Sequence, residues 1–266
     1  MKLSVDGREA YAYTGGKPFD PALPCLVLAH GALNDHGVWN LLARWFAHHG
    51  HAVLAPDLPG HGRSAGPALA SIEAMGTWLL ALLGAAGVQR AALAGHSMGS
   101  LAALAAAAQS PDRATRLVML GTAYPMKVSP ALLQAAREEP LRAIDQVVAW
   151  SHSTLAAKPS FPGPGSWLRG GSRALMRRVL QAQGDAQLFH TDFAACNGYD
   201  SAAAAAARLA CPVHLVLGSA DRMTPPRAAD ELAALLKAQV HRVPAGHALM
   251  AEAPDAVLAA LRGALA

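Results

Sequence analysis

The sequence predicts an α/β protein built on a mostly parallel sheet, and three observations carry that expectation. Short apolar runs alternate with longer stretches of helical periodicity through the first half, as strands joined by crossover helices require. The first of them, Cys25 to Ala29, is apolar at every position rather than every second one, the mark of a strand covered on both faces. At 266 residues, 53% hydrophobic and 15% charged, the chain is large and apolar enough for one sizeable core, and two independent domains are not expected.

The first clear strand is Cys25 to Ala29 (CLVLA), a continuous apolar run between Pro24 and His30-Gly31. Gly37 to His49 then predicts a helix, with Val38, Leu41, Leu42, Trp45 and Phe46 at three- and four-residue spacings, Asp35 as N-cap and Gly50 as terminator. Ala52 to Ala55 is the next strand, ended by Pro56-Asp57. Ser71 to Ala86 is the next helix, stopped by Gly87, and Arg90 to Ala94 the third strand. Met98 to Gln109 reads as a buried helix and Leu117 to Leu120 as a strand. Val213 to Leu217 and Val240 to Val243 supply two more strands late in the chain, before a helix containing Val257, Leu258 and Leu261.

Between Ala123 and Arg208 the strand signals vanish. Helix-forming segments replace them at Pro130 to Glu138, Leu141 to Ala156, Arg173 to Gln183 and Asp185 to Ala195, so a helical insertion between two strands of one sheet is expected. Lys158 to Gly171 interrupts it with three prolines and four glycines, which predicts a loop. Ala202 to Ala207 predicts a helix returning the chain to the sheet, alanine having the best helix propensity.

Composition excludes several function classes. Lys and Arg number 22 against 18 Asp and Glu, a net charge of +4, and no stretch gathers five or six basic residues as a nucleic-acid tail or polybasic membrane anchor would. Cys25, Cys196 and Cys211 lie far apart, with neither metal-ligand spacing nor an even count, which points to a reducing, cytoplasmic setting. The opening Met1-Lys2-Leu3-Ser4-Val5-Asp6 puts an acid where a signal peptide needs its apolar core, so no export signal is expected. The most apolar stretch, Met98 to Ala108, is about eleven residues, short of the ~18–20 that cross a bilayer. Phosphate loops, dinucleotide fingerprints and metal motifs are absent, so no cofactor and no metal are expected.

The sharpest chemical signal is Gly95-His96-Ser97-Met98-Gly99, a G-x-S-x-G placed between a predicted strand and a small-residue helix. A tight turn there pushes the serine hydroxyl into the open, and the backbone N–H of Met98 at the helix N-terminus can meet a developing oxyanion. A serine hydroxyl is a poor nucleophile at neutral pH, so it needs a base and an acid to orient that base. Asp221 follows the strand Val213 to Leu217, and His247 follows the strand Val240 to Val243; both therefore fall at the carboxyl edge of the sheet, where open α/β folds carry their chemistry. The order Ser97, Asp221, His247 is that of nucleophile-elbow hydrolases.

With these residues in place the chain resembles the α/β-hydrolase fold superfamily over nearly its whole length, in particular its serine-nucleophile carboxylesterase and haloperoxidase-like members. His30-Gly31-Ala32 looks like the family's oxyanion loop, which implies that the Ala32 N–H joins that of Met98, and Trp39 follows on the next helix as in many members. Asp57-Leu58-Pro59-Gly60-His61-Gly62-Arg63-Ser64 resembles the D-x-P-G-x-G-x-S loop, and Gly218 to Asp221 the G-x-x-D acid loop. The resemblance implies a sheet of about eight strands with helices on both faces. It also implies a core of residues 1–122 and 209–266 and a helical cap, residues 123–208, inserted after the sixth strand.

Plainer readings apply to several other residues. His48, His49 and His51 cluster at a helix end, where imidazoles suit the dipole without a metal. Asp57 and His61 belong to turn chemistry first; His96 has a packing role and His30 supports its loop. Arg63 and Arg222 read as solvated surface, and Cys196 as a small buried apolar residue. Of the aromatic residues in the insertion, Trp150, Phe161, Trp167, Phe189 and Phe193, at least half are expected in its own core. The expected function is a serine hydrolase acting on a small ester or related acyl compound through an acyl-enzyme. The alternatives are a carbon–carbon bond hydrolase of a dienoate or diketone, which would need a basic anchor for the substrate carboxylate, and a triad-containing ligand receptor. An elbow serine rather than aspartate makes haloalkane or epoxide chemistry improbable.

Overall fold

The computed structural model describes residues 1–153 and 167–266. Two antiparallel strands, β1 (Lys2–Val5) and β2 (Arg8–Tyr13), open the chain and were not visible as apolar runs. β3 (Cys25–Ala29) leads through a 3-10 turn, His36–Trp39, into α1 (Asn40–His48), so the predicted helix starts as a tighter turn. Asp35 caps it, accepting the Gly37 N–H at 2.7 Å. β4 (Ala52–Pro56), α2 (Ile72–Ala85) and β5 (Ala91–His96) follow, with Ser71 as the N-cap of α2 through the Ala74 N–H. α3 (Met98–Gln109) and β6 (Ala114–Leu120) complete the first half.

Between β6 and the next strand, β7, lie α4 (Pro130–Glu138), α5 (Pro140–Ser151), α6 (Leu168–Ala182), α7 (Leu188–Gly198) and α8 (Ala202–Ala206). α6 begins five residues earlier than its apolar periodicity implies, inside the Gly-rich stretch expected to be a loop. The indole of Trp167 folds over this first turn, where a Cβ on Gly170 would come within 2.5 Å of the ring. The remainder of the predicted loop, and Phe161 with it, lies outside the described residues. β7 (Val213–Gly218), α9 (Asp230–Leu235), β8 (Gln239–Val243), α10 (Leu249–Glu252) and α11 (Pro254–Leu265) end the chain.

The eight strands form one sheet in the order β1-β2-β4-β3-β5-β6-β7-β8, parallel from β4 to β8. Alternate side chains of the buried strands feed two cores. Val27, Leu54, Leu93, Leu117 and Leu215 meet α2, α3, α8 and α9 on one face, while Leu26, Val53, Ala94, Val118 and Val216 meet α1 and α11 on the other. α3 is buried from Met98 to Ala108, which explains why it is apolar on every side. A third cluster joins α4, α5, α6 and the first half of α7 to Leu33; the second half of α7, with Ala195 and Cys196, and Tyr199 just after it pack into the main core. No helix among the described residues is long and apolar enough to cross a membrane.

The chain leaves β3 toward β4 on one side and returns to β5 on the other. β3 and β5 are therefore neighbours whose following loops diverge, the crevice where open α/β sheets bind ligands.

Candidate active site

Ser97 is the first residue after β5 and stands as N-cap of α3, with φ +52° and ψ −119°, a left-handed conformation that non-glycine residues rarely adopt. Its N–H donates to the Leu120 carbonyl at 2.9 Å, which pins the strained residue to β6. The turn is too tight for side chains on either flank. A Cβ on Gly95 would lie 2.0 Å from the Gly99 carbonyl oxygen, and one on Gly99 would lie 2.4 Å from that of His30. The spacing of the motif thus follows from strand, elbow and helix meeting backbone to backbone. Met98 opens α3, so its N–H has no carbonyl one turn earlier and stays free at the positive end of the helix.

The loop after β3 faces the elbow: a Cβ on Gly31 would come within 3.2 Å of Ser97 Cβ. Ala32, partly exposed, lines the same cavity as Ser97. The acid and base loops approach equally closely, since a Cβ on Gly218 would meet the Gly246 carbonyl oxygen at 2.3 Å.

Asp221 sits in a turn after β7 and is buried. Oδ1 accepts the N–H groups of Met223 at 2.8 Å and Thr224 at 2.9 Å, and Oδ2 lies 2.8 Å from both the Thr224 hydroxyl and Nδ1 of His247. Burial pushes this carboxyl up, but the attraction of His247 and the hydrogen bonds from His247 and Thr224 outweigh it and hold the group below the ordinary carboxylate value. With Nδ1–H directed at Asp221, the imidazole keeps a lone pair on Nε2, the arrangement of a general base. His247 itself is held from behind: His96 Nε2 donates to its carbonyl at 2.9 Å, and the Ala248 N–H donates to Ser151 at the end of α5.

Ser97 and His247 open into one cavity of about 340 Å³, with Gly31 and Ala32 beside them. Val147, Val148, Leu175, Met176, Phe189, Phe193 and Met223 line it, and half-exposed Leu41 and Trp167 stand at its rim. Its polar lining among the described residues is Asn34, Asn40, Ser151, His152 and Ser172 besides the elbow and base, and among them no charged side chain reaches it. Of the insertion's aromatic residues, Phe189 and Phe193 are buried in the third cluster and Trp150 packs partly against it.

The remaining expectations resolve by geometry. Asp57 is buried, accepting N–H groups of His36 and Arg63 and the His36 ring, and a Cβ on Gly62 would collide with its carboxylate, as turn chemistry requires. Arg63 lies over the Tyr11 ring. Burial raises the thiols of Cys25, to about 12, and of Cys196, which makes both poor nucleophiles. Asp35, His36 and Asp57 bring potential metal-ligand atoms within 4.8 Å, yet both carboxylates are already engaged by backbone N–H groups, His36 and Arg178. Two residues at the site escaped sequence reasoning, Thr224 and Asp192. The second carried a signal, an acid between Phe189 and Phe193 on the apolar face of a helix.

Comparison with known proteins agrees with this architecture. The family model described as alpha/beta hydrolase fold matches residues 24–254. The lipase LipV of Mycobacterium tuberculosis is 38% identical over 106 residues, 40% of this chain and 40% of that protein. The sn-1-specific diacylglycerol lipase ABHD11 of Mus musculus is 38% identical over 102 residues, 38% and 33% of the two chains. The match thus spans well under half the length of either relative. Among solved structures, the enol-lactonase of Burkholderia xenovorans superposes over 100% of this chain and 99% of its own with a TM-score of 0.84 at 22% identity. A thermophilic esterase from Thermogutta terrifontis gives 0.79 at 23% identity, over 100% and 97%. At these identities the likeness is one of fold.

Proposed function

The chain belongs to the alpha/beta hydrolase fold family, and from that premise we propose that it is a serine hydrolase cleaving small, uncharged, predominantly apolar esters or related acyl compounds. One observation carries the reading: a serine in a left-handed elbow conformation opens into an apolar cavity that a carboxylate-anchored histidine also lines.

Ser97 attacks the acyl carbon while His247 Nε2 takes its proton, and Asp221 stabilises the imidazolium that forms. The N–H groups of Ala32 and Met98 receive the oxyanion, each donor contributing roughly 10²–10³ in rate in comparable sites. Collapse of the tetrahedral adduct expels the alcohol, which takes the proton from His247. Water then gives a proton to His247 Nε2 as its oxygen bonds to the acyl carbon, and collapse of this second adduct breaks the bond to Ser97 Oγ, which takes the proton back from His247 as the acid leaves. In this reading residues 123–208 are a cap that supplies the apolar wall from α5, α6 and α7, and residues 1–122 and 209–266 are the core that carries the chemistry.

The lack of a charged side chain among the described lining residues favours neutral acyl groups over a carboxylated dienoate or diketone, whose anion would lie against Val147, Phe189 and Met176. The relatives named as lipases agree with ester chemistry.

A fluorophosphonate label followed by a panel of p-nitrophenyl esters of increasing chain length tests the proposal. Labelling at Ser97 and turnover of neutral short and medium acyl esters are expected. Retention of most of the rate by Ser97→Ala, or failure of folded protein to label there, would overturn it.

A further inference from the structure

Asp192 lies in the middle of α7, fully buried, and both of its hydrogen bonds converge on one oxygen. Oδ2 accepts the backbone N–H of Leu33 at 2.8 Å, a contact spanning 159 residues, and faces Nε2 of His61 at 2.9 Å. The second ring nitrogen of His61, Nδ1, lies 3.1 Å from the Pro59 carbonyl. Both nitrogens thus point at acceptors, and a ring in that position carries a proton on each. His30, with its ring centroid 4.9 Å away, is the opposite case: Nδ1 donates to the Gly31 carbonyl at 2.9 Å while Nε2 accepts the Leu58 N–H at 3.0 Å, so it is neutral. A buried imidazolium beside a neutral ring leaves Asp192 as its counter-charge.

Leu33 follows Ala32 and has φ +49°, a strained value for a residue with a branched side chain, although it is wholly buried. Strain of this kind persists only where the surroundings over-determine it. Here they do so from both sides: Asn34 donates through its side chain to the Ala32 carbonyl and through its backbone to Gly31, and Asp192 takes the Leu33 N–H. With the Ala32 carbonyl and the Leu33 N–H both tied, the plane of the peptide between them is fixed, and the orientation of Ala32 is constrained with it.

We propose that Asp192, charge-balanced by His61, is a positioning residue that sets the oxyanion loop from α7, so that the insertion fixes a catalytic donor as well as walling the cavity. This rests on the serine-hydrolase reading given above. Its signature is a loss confined to the oxyanion, because the donor it positions acts on the tetrahedral adduct and hardly on the ground-state ester.

The test compares Asp192→Ala with Asp192→Asn, whose amide oxygen can still accept the Leu33 N–H. For a p-nitrophenyl ester, Asp192→Ala is expected to lower kcat about 30-fold or more with KM within about threefold, and to weaken a trifluoromethyl ketone inhibitor by the same factor as kcat/KM. Asp192→Asn is expected to recover kcat to within about fivefold of wild type. Equal losses in the two variants, or a loss seen in KM alone, would overturn the proposal. Should Asp192→Ala fail to fold, amide exchange decides: in wild type and Asp192→Asn the Leu33 N–H must be protected, and free exchange of that amide in the wild-type protein overturns the clamp. Wild-type protein that neither turns over esters nor labels at Ser97 would instead sink the hydrolase reading, with the Leu33 exchange result still standing for or against the clamp.

Discussion

His96 Nε2 lies 2.9 Å from the carbonyl oxygen of His247, with the two imidazole centroids 4.7 Å apart, so the residue before the elbow serine holds the backbone of the proposed base. The direction of that bond puts the proton of His96 on Nε2 and leaves Nδ1 a buried acceptor with no partner among the described residues. Replacing His96 with Leu keeps an apolar volume but strips the carbonyl of its donor, at a cost of about 1–3 kcal/mol in stability. The same change is expected to lower kcat on short esters roughly tenfold, the equivalent of about 1.4 kcal/mol, by loosening His247 against Ser97. Gln, whose amide can reach the carbonyl, is expected to restore part of both. Urea midpoints and kcat for the two variants check this, and a Leu variant indistinguishable from wild type in both would refute it.

The same geometry predicts how stability depends on pH. Burial, reinforced by neighbouring His247, lowers His96 from 6.5 to about 3, and burial with His61 lowers His30 to about 4. Between those values and 6.5 the unfolded chain binds protons that the folded chain refuses. Stability from this source is therefore complete above pH 6.5 and is lost as the pH falls, by about 1.4 kcal/mol per pH unit for each group. His61 has the opposite sign. Burial lowers it but Asp192 outweighs burial and raises it, so its contribution is complete below 6.5 and is lost only as the pH rises through its folded value. Asp221 and Asp57, both below the ordinary carboxylate value of 3.8, add losses only in stronger acid. Denaturation at pH 7.5, 6.5, 5.5 and 4.5 should show stability falling from 6.5 downward, with a shallower slope in His96→Leu; a flat profile to 4.5 would contradict the assignment.

Asp221 can be separated from a merely structural acid by an isosteric change. In Asp221→Asn the backbone N–H groups of Met223 and Thr224 keep an acceptor, so the turn after β7 survives. The amide can, however, hold His247 in the wrong tautomer and cannot stabilise its cation. A loss of kcat on the order of 10⁴ with little change in KM is expected, as in comparable triads. A loss under about tenfold in steady-state assays would show that Asp221 is not the orienting acid.

Much of this architecture is legible in the residues, and the reason is burial. Cys25–Ala29 and Ala52–Pro56 are covered on both faces, so each reads as an unbroken apolar run, and Val213–Gly218, equally buried, is broken only by His214. The elbow is legible because all of it lies within five consecutive residues. Gly95 answers contacts local in sequence, with Gly99 and Ser100, while Gly99 keeps its place in the motif although the backbone it meets, Ala29 and His30, is distant. β1 and β2 are not legible, since KLSV and REAYAY are short, half-exposed strands at one side of the sheet, whose pattern resembles a loop. Thr224 and Asp192 are hard to read for a different reason: what they do depends on distant segments, the Gly121 carbonyl for Thr224 and the Leu33 N–H and His61 for Asp192, of which the sequence shows at most an acid among aromatic residues.

Glycine substitutions separate the elbow from ordinary helix positions. Gly84 lies in α2 with nothing within 4 Å of a Cβ, so Gly84→Ala should leave activity unchanged and stabilise the protein by about 0.5–1 kcal/mol, the helix-propensity difference. Gly99 is also helical, in α3, but its Cβ would face the His30 and Ala29 carbonyl oxygens at 2.4 and 2.5 Å. Those atoms are backbone at the end of β3, flanked by β4 and β5, and cannot turn aside as a side chain would. Gly99→Ala must therefore push α3 away from β3, shifting the elbow relative to the oxyanion loop. A stability loss of roughly 3 kcal/mol, at the upper end for overpacking a tight core, is expected with loss of fluorophosphonate labelling at Ser97. Thermal unfolding of the pair decides it, because helix propensity alone would make both changes stabilising, and a stable, fully labelled Gly99→Ala would mean that strand and helix do not meet as closely as the elbow demands.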